Sequence, residues 1–183
     1  FSTAFMFATI SSTGAVKAWG SIFNTLNALT NNNPVASGCI TMATTWHAFT
    51  CIIDDGSIVS FGHGNYGGTT PSGISNVISV VSTSSAFAAL SSSGAVITWG
   101  SSNRGAGISA SSGVVKIYSS ERAFCLLKDD KGVLCHGDSN YGGTGAPTTL
   151  NIISITSNAR AFAAILQDRT VLSWGSSDRG GGL

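Results

Sequence analysis

Val77-Ile78-Ser79-Val80-Val81, Ala86-Phe87-Ala88-Ala89-Leu90 and Ala95-Val96-Ile97-Thr98-Trp99-Gly100 are three short runs of β-formers separated by Ser and Gly. Runs of this length bounded by turn residues predict strands, and their close succession predicts a meander. Ser92-Ser93-Gly94 has the form of a three-residue hairpin loop with Gly at its left-handed position. Phe, small residues and aliphatics occupy both faces of the middle run, so its sheet must be covered on both sides. A lone small sheet cannot supply that cover. A stack of similar sheets can.

The rest of the chain repeats this unit. Phe7, Phe49, Phe87, Phe124 and Phe162 are each followed twelve residues later by Trp19, Phe61, Trp99, His136 or Trp174, and then directly by Gly. Successive Phe positions differ by 42, 38, 37 and 38 residues, so the period runs through the whole chain. A fixed period in this range marks a solenoid or propeller, whose units bury their apolar faces against each other. The expected fold is therefore all-β: a β-propeller of five antiparallel meander blades of about 38 residues. The repeats run about 1–37, 38–75, 76–112, 113–150 and 151–183 within a single domain, part of a larger ring or array, with the ends cutting within blades. The first strand recurs as Ile40 and Met42, Ile78 and Val80, Val115 and Ile117, and Ile153 and Ile155. The five Phe and their partners are expected to be buried between blades, with His136 replacing a core aromatic. Ser21 to Leu26 departs from the pattern and reads as a surface insertion containing one short helical turn, ending at the Asn31-Asn32-Asn33-Pro34 turn.

Composition narrows the function. Charged residues make up only 9% of the 183 residues and the net charge is +1, so there is no electrostatic footprint for nucleic acid. No apolar run reaches the roughly 18 residues of a membrane-spanning helix, so membrane insertion is not expected. The polar residues are mostly Ser, Thr and Asn, a pattern common in secreted and cell-surface proteins.

The recurring pattern of Ala-Phe-Ala-Ala-Leu, x-x-x-Gly-x-Val, Trp-Gly and Ser-x-Asn-x-Gly resembles the repeat of the regulator-of-chromosome-condensation family. The period is closer to the short-repeat members such as β-lactamase inhibitor protein II. The resemblance implies a propeller. It does not carry a function, because sites are grafted onto such scaffolds independently.

Repeats two and four share Asn-Tyr-Gly-Gly-Thr loops at Asn65 to Thr69 and Asn140 to Thr144, while repeats three and five share Arg-Gly at Arg104 and Arg179. One reading is ancestry alone, a copied pair of blades. The other is that Tyr66, Arg104, Tyr141 and Arg179 line one rim as an alternating aromatic and cationic surface, using the residue types that dominate protein contacts.

The four cysteines are not at metal-binding spacing. If Thr44-Thr45-Trp46 and Asp129-Asp130-Lys131 turn their hairpins, Cys39 lies opposite Cys51 and Cys125 opposite Cys135. Two disulfides would then imply an oxidising compartment. The alternative is four separate buried thiols.

Gly62-His63-Gly64-Asn65-Tyr66-Gly67 matches a dinucleotide fingerprint only by letters, since no helix or βαβ unit surrounds it. His47, His63 and His136 occupy different repeat positions, and no convergent set of acid, base or nucleophile can be named. The Asp-Asp-Gly turn lacks the further oxygen ligands of a calcium loop. No cofactor or metal is expected. The reading is a non-catalytic interaction or structural module of a larger secreted or surface assembly, extracellular or at the cell surface. Its partners would be proteins, either neighbouring subunits or other parts of a longer chain. The alternatives are a lectin-like or inhibitor propeller binding glycan or an enzyme, and a guanine-nucleotide exchange or chromatin-binding propeller.

Overall fold

A computed structural model describes residues 1–20, 35, 37–148 and 151–182. The insertion read between Ser21 and Pro34 lies outside the described residues. Among the latter, fifteen strands form five antiparallel sheets in chain order. β1 (Met6–Ile10) pairs with β2 (Val16–Gly20). β3 (Cys39–Thr44), β4 (Ala48–Ile53) and β5 (Ile58–Gly62) make the second blade. β6 (Val77–Ser82), β7 (Ala86–Ser91), β8 (Val96–Gly100) and the two-residue β9 (Ser109–Ala110) make the third. β10 (Val114–Ser119), β11 (Ala123–Lys128) and β12 (Val133–Gly137) make the fourth, and β13 (Ile152–Ser157), β14 (Ala161–Leu166) and β15 (Val171–Gly175) the fifth.

The twelve-residue spacing is a hairpin register. Phe7, Phe49, Phe87, Phe124 and Phe162 sit directly opposite Trp19, Phe61, Trp99, His136 and Trp174. Each hairpin turns through one left-handed residue, at Gly14, Gly56, Gly94, Lys131 and Arg169, with φ between +67° and +79°. The carbonyls of Gly14, Gly56, Gly94 and Lys131 accept the first-strand N–H of Cys39, Val77, Val114 and Ile152 in the following blade. A second line of backbone bonds joins the turns between first and second strands. Ala4 N–H donates to Trp46, Trp46 to Ser84, Ser84 to Glu121 and Glu121 to Ala159, at 2.8–3.3 Å.

Side chains complete the stack. At each of the four seams the Phe-bearing face of one blade packs on the opposite face of the blade before it. Phe87, Ala89 and Trp99 thus meet Ala48, Ile52 and Ile58, while Ala86, Ala88, Leu90 and Val96 meet Phe124 and Leu126. Phe49, Phe87, Phe124 and Phe162 are at most 1% exposed. Burying a Phe side chain contributes about 1.5–3 kcal/mol, so these rings are a main source of blade-to-blade stability. Backbone approaches them closely. A Cβ on Gly67, Gly105 or Gly142 would lie only 2.5–2.6 Å from a ring carbon of Phe87, Phe124 or Phe162 in the next blade, and all three glycines have φ between +85° and +107°. Trp99 Nε1 donates to the Gly67 carbonyl at 3.0 Å across the same seam.

Two expectations about burial are corrected. Phe7 and Trp19 stack at 5.9 Å but are 55% and 46% exposed, because no blade covers that face of β1 and β2. His136 is also exposed: an imidazole needs polar partners, and its Nε2 lies 3.2 Å from the Ala106 carbonyl instead of sinking into the seam. Ile40, Ile78, Val115 and Ile153 are 53–64% exposed. Each occupies a β-bulge at the start of its first strand, where the extra residue turns its side chain away from the blade interior.

Both disulfides, Cys39–Cys51 and Cys125–Cys135, are present. Cys125 and Cys135 are directly opposite, as the register predicts. Cys51 instead faces Met42, and Cys39 faces Ile53. The bond forms diagonally across the bulge, with the two Cα atoms 5.7 Å apart.

Candidate interaction rim

A single 3₁₀ turn follows the third strand in four blades: Gly64–Tyr66, Ser102–Arg104, Ser139–Tyr141 and Ser177–Arg179. A left-handed glycine closes each. The last residue of every turn is tied back to its own blade in the same way. Its carbonyl accepts from Thr45 Oγ1 at Tyr66, Thr83 Oγ1 at Arg104, Ser120 Oγ at Tyr141 and Asn158 Nδ2 at Arg179, at 2.7–2.9 Å. The four residues singled out from the sequence therefore hold equivalent positions on their blades. The two-blade alternation extends to the caps. His63 and Asp138 accept the N–H of Asn65 and Asn140, whereas Ser101 and Ser176 make no such bond.

What these positions present differs from blade to blade. Arg179 is exposed, and Tyr66 and Arg104 are half-buried. Tyr141 is only 5% exposed, which corrects the expectation of an aromatic surface there. The guanidinium groups of Arg122 and Arg160 lie 4.5 and 5.0 Å from its ring centroid and cover it. Arg122 also pairs at 3.6 Å with both Glu121 and Asp138. Arg104 stacks 5.3 Å over Trp46 and donates from Nη1 to Ser84 Oγ at 2.8 Å. Tyr66 meets the edges of His47 and His63 at 4.4 and 5.4 Å, and His47 in turn stacks on Phe5. Burial, reinforced by the nearby His63, lowers the His47 pKa below the ordinary histidine value.

Between blades two and four these groups border a polar cleft of about 930 Å³, lined by Tyr66, Asn103, Arg104, Arg122, His136 and Ser139 among others. The cleft offers guanidinium, amide and hydroxyl donors, a set suited to accepting carboxylates and backbone carbonyls of a partner. Sequence reading missed Trp46, Arg122 and Arg160. They lie in the turns between first and second strands, where residue identity varies from repeat to repeat, so periodicity does not mark them. Among the described residues no group of three His, Cys, Asp or Glu is placed to hold a metal ion. No helix among them is long and apolar enough to cross a membrane.

No family model matches the sequence, and no curated protein does either. Solved structures do. Yeast RCC1 (Prp20), in a structure with Kap60, superposes with a TM-score of 0.59 at 17% identity over 94% of this chain and 54% of its own. The ectodomain of the Physcomitrella patens receptor kinase CR4 gives 0.57 at 14% identity over 96% of this chain and 49% of that one. The ACR4 receptor kinase ectodomain of Arabidopsis thaliana gives 0.58 at 13% identity, covering 95% and 61%. The chain thus spans about half to three fifths of the length of these proteins. Together with the five stacked antiparallel blades, these matches establish an RCC1-like β-propeller fold.

Proposed function

We propose that the chain is a non-catalytic propeller module that binds protein partners through the rim carrying the 3₁₀ turns, within an extracellular or cell-surface assembly. The observation that carries this reading is the common tethering of Tyr66, Arg104, Tyr141 and Arg179, of which Tyr66 and Arg104 line a donor-rich cleft. Tethering the backbone of each turn lowers the entropy lost when a partner binds. Stacked Arg side chains with fixed planes suit bidentate contacts. The two disulfides favour an oxidising compartment, and two of the matching structures are receptor ectodomains. Contacts built from planar, closely packed groups should survive moderate salt.

A nucleotide-exchange or chromatin reading is favoured by one observation, the match to yeast Prp20, whose structure was described with its binding to Gsp1p and histones. The low charge of this chain favours it less. The immobilised chain, offered soluble extracellular proteins, should retain a partner that is lost with the Arg104→Ala/Arg179→Ala double variant while the near-ultraviolet circular dichroism is unchanged. Undiminished capture would remove the rim from the reading. Accelerated release of labelled GDP from a small GTPase would replace it with exchange, and selective retention on a glycan array would replace it with a lectin function.

A further inference from the structure

Around the polar cleft the aromatic rings are already engaged, mostly by cations. Arg104 lies 5.3 Å over the Trp46 ring, and Arg122 and Arg160 cover Tyr141. Tyr66 meets the edges of His47 and His63. A guanidinium stacked by its face keeps its in-plane N–H edge for a planar acceptor. The two arginines that line the cleft, Arg104 and Arg122, differ in what stands beside them. Arg122 sits between Glu121 and Asp138, each 3.6 Å away. Arg104 has no carboxylate within ion-pair distance among the described residues, where the pairs belong to Arg122, Lys128 and Arg179. Its Nη1 donates to Ser84 Oγ at 2.8 Å, and no other hydrogen bond from the guanidinium forms among these residues. Trp46 and Ser84 belong to turns of successive blades, joined by a backbone bond of 3.0 Å, so the plane of Arg104 is held from one rigid base.

We propose that the cleft takes an extended segment of the protein partner, with one internal Asp or Glu side chain set on the edge of Arg104. The inference rests on the rim reading above and names what the rim recognises. A fixed guanidinium edge without an acid of its own is matched by a carboxylate, which it can hold through two parallel hydrogen bonds. Position argues for an internal residue. Arg104 is on the third blade, and the lining continues to Asn65 on the second and Ser139 on the fourth, so a bound chain can run on past Arg104 both ways. Asn65 and Asn103 are exposed there, and their amides can pair with a peptide backbone. The volume of about 930 Å³ is far more than an inorganic oxyanion fills. A sugar ring would need a bare aromatic face, and the rings of Trp46 and Tyr141 are covered by arginines. At Arg122 a second acid would meet the charges of Glu121 and Asp138 and be repelled. The preferred segment therefore carries a single acid flanked by neutral residues.

Nuclear magnetic resonance titration of the isotope-labelled chain tests the inference, with short peptides blocked at both ends that are alike except for a central Glu or Gln. The Glu peptide should bind about tenfold more tightly than the Gln peptide, as a charge-assisted contact outdoes a neutral one. It should shift the Nε–Hε signal of Arg104 and leave that of Arg169, in the hairpin turn between β14 and β15, in place. Arg104→Ala should lose that tenfold advantage, and Arg104→Lys nearly as much, since an ammonium keeps the charge but neither the stack nor the fork. Equal binding of the two peptides, an Arg104→Lys chain that binds like the parent, or shifts that bypass Arg104 would each overturn the inference. So would tighter binding of a Glu-free peptide with a free C-terminal carboxylate, or of glucuronate, which would assign the cleft to chain ends or to acidic sugars. Should either variant fail to fold, the Arg104 signal of the unaltered chain decides. The rim reading is scored separately. Arg104-dependent capture of a protein by a chain that ignores the Glu peptide keeps the rim and removes the acidic anchor, and Glu-peptide binding without any captured protein does the reverse.

Discussion

Gly67→Ala and Gly180→Ala form a matched pair that isolates the energy of one blade seam. The two glycines close equivalent turns with nearly equal φ, +90° and +93°. Forcing alanine into that left-handed region costs about 1–2 kcal/mol at either site. Beyond this shared cost the sites diverge. The new methyl at position 67 would lie 2.5 Å from Cδ2 and 2.9 Å from Cε2 of Phe87, a ring with no exposed surface and so little room to retreat. Overpacking of this kind adds about 1–3 kcal/mol. At position 180 the methyl meets nothing. Gly67→Ala should therefore cost about 2–5 kcal/mol and Gly180→Ala about 1–2. Urea denaturation followed by tryptophan fluorescence measures both. Equal losses would refute the reasoning, since they would mean that the glycines serve only their backbone angle and that the seam does not press on them.

Trp99→Ala should cost about 3–5 kcal/mol in the same denaturation assay, as large core truncations do, while Trp19→Ala on the uncovered face should cost far less; comparable losses would contradict the burial described. Non-reducing peptide mapping should recover Cys39 linked to Cys51 and Cys125 to Cys135, and reduction should lower stability by about 2–4 kcal/mol per bridge. Four alkylatable thiols in the unreduced, denatured chain would exclude the bridges. For pH, the sign follows from His47: its folded pKa is depressed below 6.5, so the unfolded chain takes up the proton first. Stability should hold above about pH 6.5 and decline as pH falls below it, and His47→Gln should flatten that decline in urea midpoints measured from pH 7.5 to 5. Asp55, Asp130, Asp168 and Asp178 have pKa values lowered mainly by hydrogen bonds from Ser57, Gly132, Thr170 and Ser176, so a second loss should set in as pH falls through the aspartate range.

Local pattern carries the fold because every blade is built from hairpins. The Phe-to-aromatic spacing, the left-handed hairpin residue and the Cys125–Cys135 pair all depend on a few adjacent residues, and all were legible. Contacts that depend on what lies beside a blade were not. Phe7 and Phe87 have the same surroundings in sequence, yet one is open and the other sealed, because coverage is a property of the neighbouring blade. Bulges turned Ile40, Ile78, Val115 and Ile153 outward, and a turn lying beyond Thr44, which itself pairs with Phe49, set Cys51 opposite Met42 instead of Cys39. At the rim, the four turn positions were found by spacing. That Tyr141 would lie beneath Arg122 and Arg160 required three residues from two blades to be seen together.

The backbone line through Ala4, Trp46, Ser84, Glu121 and Ala159 joins the blades without using any of those side chains. Fold and identity are uncoupled there: a small residue, an indole, a hydroxyl and a carboxylate hold the same post with the same amide bonds. Such positions can drift or be randomised one at a time, each on its own blade. A library varied at residues 46, 121 and 159, with the buried Ser84 kept, would change the lettering of the surface while leaving the frame that displays it in place.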